Sequence, residues 1–110
     1  MKTLLFVTFL KPGMLSAYKK FTAEITGPRK QEFKELLKRY GFKTAKVWHE
    51  KLSDKDYIVI VHEAEDDALE RLKGWASSTH PFDLWFGERL SECYEKFPEP
   101  AHLLFKVTLD

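Results

Sequence analysis

The stretch "LLFVTFL", Leu4–Leu10, is apolar at six of its seven positions, and "YIVIV", Tyr57–Val61, is apolar throughout. A strand with one solvated face alternates apolar and polar side chains, whereas a strand buried on both faces is continuously apolar. Both stretches are therefore predicted to be central strands of one sheet. The first also imitates a signal peptide, but Thr8 interrupts it and cleavage would remove the most apolar segment of the chain.

Two further segments are predicted to be edge strands because they carry the charges expected there. They are "KTAKVWHEK", Lys43–Lys51, and "HLLFKVTLD", His102–Asp110. The turn-forming residues "SDKD" suggest a hairpin with Leu52 opposite Tyr57. One face of this hairpin carries Trp48, Glu50, Leu52, Tyr57, Val59, Val61 and Glu63, and the other carries Val47, His49, Lys51, Ile58, Ile60 and His62.

Apolar residues at helical spacing predict helices between these strands. The first region breaks at Gly27-Pro28, with Pro28 expected in the first turn of the restarted helix, and Gly41 ends it. The later helices begin near Ala68 and at Pro81. The order is βαββααβ, which predicts one α+β domain over residues 1–110 with a ferredoxin-like, four-stranded antiparallel sheet. The apolar helix positions are Met14, Tyr18, Phe21, Ile25; Phe33, Leu36, Leu37, Tyr40; Ala68, Leu69, Leu72, Trp75, Ala76; and Phe82, Trp85, Phe86, Leu90, Cys93, Tyr94.

Such a fold leaves one sheet face without helices. That face would present several hundred square ångströms of apolar surface, which is more than a monomer commonly exposes. A second copy of the same sheet is the simplest cover, so the sequence predicts a homodimer through the sheet faces.

The composition argues against several other classes of protein. A net charge of +1 gives no overall attraction to nucleic acid or membranes. The single cysteine, Cys93, cannot form an internal disulfide, which favours the cytoplasm. No segment has the ~20 apolar residues of a membrane span. No metal-ligand spacing and no cofactor motif is present, and "DYIVIVHE" lacks the glycines and basic residues of RNA-recognition strands.

The stretch "SSTHPFDLWF", Ser77–Phe86, has two interpretations. In the first, Thr79 or His80 caps a helix that has Pro81 at its first position, and Asp83 accepts free N–H groups of the first turn. In the second, His80 and Asp83 form a catalytic acid/base pair beside a pocket wall at Trp85. The first accounts for the residues without any chemistry and is preferred.

The predicted hairpin offers two weaker candidates for a site. With Leu52 opposite Tyr57, His49 and His62 become diagonal neighbours roughly 7–8 Å apart, a distance at which they could share a metal or ligate haem. Because no third ligand is apparent, ordinary polar positions are preferred. Trp48 and Tyr57 share the other face with Glu50 and Glu63, whose carboxylates could titrate at raised pKa among apolar neighbours or simply pair with Lys46.

Three stretches together resemble an uncharacterised bacterial family. They are "KPGMLSAYKKF" (11–21), "WHEKLSDKDYIVIVHEAED" (48–66) and "SSTHPFDLWFGERL" (77–90), with "PFDLWF" the most specific part. The family belongs to the dimeric α+β barrel superfamily, which includes the antibiotic-biosynthesis-monooxygenase-like proteins. The resemblance implies a ferredoxin-like subunit and a sheet-to-sheet dimer, but it implies no reaction. The extra helix before the last strand is a departure that could fill the cleft where relatives bind ligands.

Two functional hypotheses follow, and the sequence leaves open whether the protein is an enzyme. The first is a small homodimeric protein that binds a small apolar molecule, with Trp48, Tyr57, Trp75 and Trp85 as candidate contacts. The second is a cofactor-independent monooxygenase-like enzyme acting on a small aromatic substrate, with His80 and Asp83 as candidate catalytic residues. An open cavity with converging polar groups would favour the second hypothesis.

Overall fold

The chain folds into three strands, four α-helices and one short 3-10 helix, and the computed structural model describes all 110 residues. The predicted strand at the N-terminus is present, but it lies at one edge of the sheet, so its predicted central position is wrong. In chain order the elements are β1 (Lys2–Phe9), α1 (Leu15–Thr26), α2 (Lys30–Arg39), β2 (Lys46–Leu52), β3 (Lys55–Ala64), α3 (Ala68–Leu72), the 3-10 helix (Lys73–Ser77) and α4 (Pro81–Cys93).

The sheet is antiparallel and has the order β1-β3-β2. The strand that contains "YIVIV" is central, as predicted. Phe6 of β1 lies opposite Ile60, and Val47 of β2 lies opposite the same residue from the other side. Side chains therefore divide consistently between two faces across all three strands.

The predicted fourth strand is wrong, because residues 102–110 form no strand and are not part of the sheet. The chain after α4 does run antiparallel along the outer edge of β1, but its backbone forms only isolated bridges there, between Tyr94 and Leu10 just beyond β1 and between Pro100 and Phe6. The hydroxyl of Thr8 also donates to the carbonyl of Lys96. Pro98 and Pro100 lack the N–H groups that a continuous ladder needs. The last backbone bond runs from the N–H of Ala101 to the carbonyl of Leu5 (2.7 Å), and the chain then leaves the sheet.

The predicted hairpin register is also wrong, by two residues. Leu52 pairs with Lys55 and Tyr57 pairs with Glu50, because the loop is a tight two-residue turn. Ser53 and Asp54 have φ values of 48° and 66°, which match a type I′ turn, whose twist suits a hairpin. A shift of two residues preserves the faces, so the predicted division of side chains holds.

The helices cover one face of the sheet, as predicted. The break between α1 and α2 lies at residues 27–29, so Pro28 precedes the second helix instead of entering its first turn. Gly41 follows the end of α2 with φ +79°, the left-handed conformation expected of a helix-ending glycine. The predicted second helix is split into α3 and the 3-10 helix.

The two faces of the sheet differ sharply in exposure. On the helix-covered face, Ile58 and Ala64 are completely buried. On the opposite face, which we call the open face, Val7 is 46% exposed and Trp48 is 52% exposed. The uncovered apolar face expected from the sequence is thus present. Its apolar members are Leu5, Val7, Phe9, Trp48, Leu52, Tyr57, Val59 and Val61.

Candidate functional site

A cavity of ≈ 230 Å³ lies between the helix-covered face of the sheet and helices α1, α2 and α4. Of its 20 lining residues, 17 are hydrophobic, so it suits a largely apolar occupant. It exists because aromatic side chains on the helices hold the backbones apart without filling the gap. The lining residues used below are Tyr18, Phe42, Val47, His62, Trp75 and Tyr94.

Flat aromatic rings from three helices form the helical wall of this cavity. Phe86 of α4 stacks on Phe33 of α2, with ring centroids 5.6 Å apart and planes 17° apart. Phe86 also packs against Phe21 of α1 and Trp75, at 5.2 Å and 5.6 Å. Such pairs contribute about 0.5–1.5 kcal/mol each beyond their burial, so the wall is stiff and preformed.

His62 supplies a hydrogen-bond acceptor to this apolar space. Its Nδ1 lies 2.9 Å from the carbonyl oxygen of Thr44, and because a carbonyl only accepts, Nδ1 carries the proton. Its ring stacks on Phe42, with centroids 4.2 Å apart. Burial lowers the pKa of His62, and the bond to Thr44 offsets this only in part. The ring is therefore neutral at pH 7, and its Nε2 keeps a lone pair that no protein group uses.

Two tyrosines supply a donor to the same space. The hydroxyl oxygens of Tyr18 on α1 and Tyr94 after α4 lie 2.9 Å apart, and both side chains are buried. One hydroxyl donates to the other, which leaves one hydroxyl proton without a protein acceptor. Burial raises the pKa of both tyrosines, so the pair stays protonated at neutral pH. Together with His62, the cavity offers one acceptor and one donor among apolar walls.

The candidate pair His80 and Asp83 is not joined by a hydrogen bond. His80 caps α4, with its Nδ1 accepting the N–H of Phe82 (3.3 Å), and Pro81 occupies the first position. The preferred helix-start interpretation is confirmed for His80 and Pro81.

Asp83 differs from that interpretation, because its carboxylate accepts side-chain donors and no backbone N–H group. Tyr40 and Ser78 each donate to it at 2.7 Å, and Arg39 forms an ion pair with it. Burial alone raises the pKa of Asp83, but the bonds from Tyr40, Arg39 and Ser78 outweigh this, and the net pKa lies below its usual value. The charged carboxylate therefore ties α2, the 3-10 helix and α4 together.

The four candidate ligand contacts do not converge on one place. Trp75 lines the cavity, and its Nε1 donates to the carbonyl of Asp83 (3.2 Å). Trp85 lies outside the cavity on α4, where the guanidinium of Arg29 covers its ring at 4.0 Å. Trp48 and Tyr57 lie on the open face, with Tyr57 packed against Phe9 at 5.8 Å. Trp48 and Tyr57 are thus separated from Trp75 by the sheet.

The predicted proximity of His49 and His62 is wrong, because it depended on the incorrect register. His49 lies opposite Ile58, four residues along β3 from His62, which is roughly 13 Å at strand spacing. His49 instead bonds Asp56 at 2.8 Å. No group of three or more His, Cys, Asp or Glu side chains is placed to hold a metal ion.

Two features of the sequence are consistent with the polar groups of the cavity. Tyr18 and Tyr94 occupy core positions where phenylalanine would pack equally well, so their hydroxyls require partners. His62 is a titratable residue on the inner face of a central strand, and such a position requires a bonded tautomer. That these three residues line one space depends on how the helices cross the sheet, which residue spacing alone does not specify.

Comparison with known proteins supports the fold. No protein-family model matches the chain, and no curated protein sequence matches it. Several solved structures do match the chain, and two of them are described here. The L-rhamnose mutarotase of Formosa agariphila has a TM-score of 0.65 at 15% identity, covering 98% of this chain and all of its own. The tetracenomycin F2 cyclase of Streptomyces glaucescens, a type-II polyketide cyclase, has a TM-score of 0.61 at 18% identity, covering all of both chains.

Both neighbours have the dimeric α+β barrel fold. This chain therefore has a ferredoxin-like α+β fold similar to that of these two neighbours, with a three-stranded antiparallel sheet in the single chain. At these identities the likeness concerns the fold alone. No helix of the protein is both long enough and apolar enough to span a bilayer.

Proposed function

We propose that the protein is a homodimer that binds a small, largely aromatic molecule in the cavity between its sheet and its helices. The observation that carries the binding proposal is the cavity itself, preformed by stacked aromatic rings and containing one acceptor and one donor. An apolar protein cavity of about 150 Å³ accommodates benzene. A volume of ≈ 230 Å³ therefore suits a compound of one or two rings.

The polar groups narrow the class of ligand further. A phenolic hydroxyl could donate to Nε2 of His62 and accept the unused hydroxyl proton of the Tyr18–Tyr94 pair. A hydrocarbon of the same size would leave both groups unpaired, which costs about 1–3 kcal/mol for each buried group. The preferred ligand is thus a small aromatic that carries one hydroxyl or carbonyl oxygen.

The open face supports the homodimer. It presents eight apolar side chains on a flat three-stranded surface, and a second copy offers an identical, self-complementary surface. Polar groups there lie toward the margins, where Thr3 already bonds Glu63 at 2.8 Å. The dimeric α+β barrel neighbours agree with this arrangement.

Calorimetric titration with 2-naphthol and with naphthalene tests the binding proposal. We expect His62→Phe, which keeps the stack on Phe42, to weaken 2-naphthol binding about tenfold, or ~1.4 kcal/mol, and to strengthen naphthalene binding, because no acceptor is then left unpaired. Ala45→Trp should block both compounds, because Ala45 lines the cavity. Leu84→Ala, at an exposed position of α4, is the matched control and should change neither. Equal binding of 2-naphthol by Ala45→Trp and the wild type would exclude the cavity as the site.

An enzyme acting on an aromatic substrate in the same cavity is the second candidate. The observation in its favour is the neutral His62, whose free Nε2 meets the first requirement of a general base. With an aryl ketone such as 1-tetralone, Nε2 of His62 would remove an α-proton. The enolate oxygen would then accept a hydrogen bond from the free tyrosine hydroxyl. Incubation in D₂O would then exchange the α-position for deuterium, and His62→Phe would abolish that exchange.

The monooxygenase-like reaction is a narrower form of this second candidate. It would insert an oxygen atom from O₂ into the substrate and reduce the other atom to water at the substrate's expense. Product mass after incubation of 2-naphthol under ¹⁸O₂ distinguishes it from simple proton transfer, which adds no label.

A further inference from the structure

A groove of ≈ 740 Å³ lies beside the cavity, between the 3-10 helix and α4. Half of its ten lining residues are hydrophobic. Three residues, Leu72, Trp75 and Phe97, line both the cavity and the groove. The side chains of these three residues therefore separate the two spaces, and we call them the partition.

Two members of the partition are built into the packed interior. Leu72 and Trp75 both pack against the buried core cluster. The ring of Trp75 lies 5.6 Å from that of Phe86 and 6.1 Å from that of Tyr40. Its Nε1 also donates to the carbonyl of Asp83 at 3.2 Å. Because these two side chains support the core, they cannot be changed without disturbing the helices.

Phe97 is the member of the partition that the core does not require. It lies outside the core cluster and the residues packed against it, and it is 47% exposed. Its aromatic contact is with Tyr94, whose ring it meets edge-on with centroids 6.1 Å apart. The ring of Phe97 therefore separates the cavity from the groove but contributes little to the packing of the interior.

The backbone around Phe97 is held in place. Directly before it, the carbonyl of Lys96 accepts the hydroxyl of Thr8. Directly after it, Pro98 restricts the backbone of Phe97 to extended conformations, because the proline ring would clash with a helical one. A fixed backbone limits the positions that the ring can reach, so the ring stays between the cavity and the groove.

We propose that Phe97 is a specificity-determining residue of the cavity, whose ring closes the end that faces the groove and limits the ligand to a compact aromatic of one or two rings. This inference rests on the proposed ligand-binding function and names the residue that sets the size of the ligand. A cavity of about 150 Å³ corresponds to a single ring, so a third ring exceeds ≈ 230 Å³. Without the ring of Phe97, the cavity and the groove would form one continuous space.

Gly87 of α4 offers a way to fill the groove without altering the cavity. It lines the groove and does not line the cavity. A Cβ atom added to Gly87 would lie 3.9 Å from Cζ2 of Trp75, which is an ordinary contact distance. Leucine also favours a helix more than glycine does. Gly87→Leu should therefore fold and occupy the space that Phe97→Ala joins to the cavity.

Fluorescence titration with two naphthols of different length tests the proposal. 2-Naphthol and 6-phenyl-2-naphthol carry the same hydroxyl, and the second compound adds a ring at the opposite end. We expect the wild type to bind 2-naphthol at least about tenfold more tightly than the longer compound. Phe97→Ala should bind the longer compound at least about tenfold more tightly than the wild type does, whereas its affinity for 2-naphthol should not rise.

Two further variants show where the additional ring lies. Phe97→Ala combined with Gly87→Leu should return the affinity for 6-phenyl-2-naphthol to that of the wild type, because the groove is filled again. Leu52→Ala removes a similarly exposed apolar side chain from the open face and should change neither affinity. Far-UV circular dichroism checks the fold of each variant. If Phe97→Ala does not fold, Phe97→Val provides the same comparison with a smaller opening.

The possible results separate this inference from the proposed function. Equal affinity of the wild type for both compounds would refute the role of Phe97 and leave the cavity as the binding site. Binding of 2-naphthol by Phe97→Ala without a gain for the longer compound would do the same. A gain that persists when Gly87→Leu is added would also refute the role of Phe97, because the third ring would then lie outside the groove. A wild type that binds neither compound would refute both proposals.

Discussion

The two faces of the sheet are built from similar residues but face different surroundings. Along β3, Ile58 and Ile60 point toward the helices, whereas Val59 and Val61 point away from them. Ile58 is completely buried by the chain's own helices, while Val59 remains partly exposed. The comparison shows that apolar alternation predicts which surfaces must be covered but does not specify what covers them.

The faces also differ in the polar groups they contain. On the helix-covered side, polar groups lie among apolar ones; the carboxylate of Asp83 and the Nδ1 of His62 are bonded, whereas the Nε2 of His62 is free. On the open face they lie at the margins and leave the centre apolar. The first pattern suits a ligand cavity of fixed geometry, and the second suits association with an identical surface.

The largest expected effect contrasts neighbouring residues of β3. Ile58→Ala should lower the free energy of unfolding by about 2–5 kcal/mol, because it removes a fully buried side chain from a packed core. Val59→Ala should lower it by about 1 kcal/mol at low protein concentration, since its side chain is already partly exposed. Urea denaturation measures both. Equal losses would show that the two faces are equally buried in one protomer.

A charge on the open face should separate association from folding. Val59→Glu should raise the dimer dissociation constant at least 100-fold, or ~2.7 kcal/mol, because two carboxylates would be desolvated near the twofold axis. Analytical ultracentrifugation measures this change, and far-UV circular dichroism should remain that of the wild type. Leu84→Glu on α4 is the control. An undiminished Val59→Glu dimer would place the interface elsewhere.

The ion pair and hydrogen bonds of Asp83 should make the stability of the helix-covered side sensitive to acid. Asp83→Asn should lower the free energy of unfolding by about 2 kcal/mol at pH 7. This value allows for solvent screening of the ion pair, because Arg39 is partly exposed. The folded pKa of Asp83 is lowered, so its contribution is complete above the unfolded pKa of about 3.9 and is lost as pH falls through the folded value. The stability difference between wild type and variant should therefore shrink in acid. Glu32→Gln, which removes the exposed ion pair with Arg29, should change the free energy of unfolding little at any pH.

The smallest expected effect concerns His62. Because its folded pKa lies below its unfolded value near 6.5, the unfolded chain takes up a proton first as pH falls. The wild type should lose stability from about pH 6.5 down to the folded pKa, whereas His62→Gln should not. Thermal melts between pH 8 and pH 5 measure the difference. A wild type that gains stability over this range would mean that His62 is stabilised as a cation.

The strands and helix faces could be predicted from the sequence because local patterns determine them. "LLFVTFL" and "YIVIV" identified two strands, of which only the second is central, and His80-Pro81 identified the start of α4. The hairpin register could not be obtained, because it depends on Ser53 and Asp54 adopting left-handed backbone conformations that neither residue strongly prefers. That error alone produced the incorrect pairing of His49 with His62.

The absence of a fourth strand and the presence of the cavity could not be predicted, for a different reason. Residues 102–110 have the alternating pattern of a strand, but Pro98 and Pro100 interrupt the approach of the chain to β1. Asp83 appeared to be an ordinary first-turn carboxylate, because its three donors come from residues distant in sequence or on a separate turn. Properties that depend on long-range packing, or on a second copy, are not contained in local spacing.

Native mass spectrometry of the protein with added 2-naphthol tests most directly whether the two faces have separate partners. We expect a species of twice the chain mass that carries up to two molecules of 2-naphthol. Val59→Glu should convert this species to a monomer without abolishing ligand binding, because the altered residue lies across the sheet from the cavity. A monomeric wild type, or a dimer that takes up no 2-naphthol, would contradict the account.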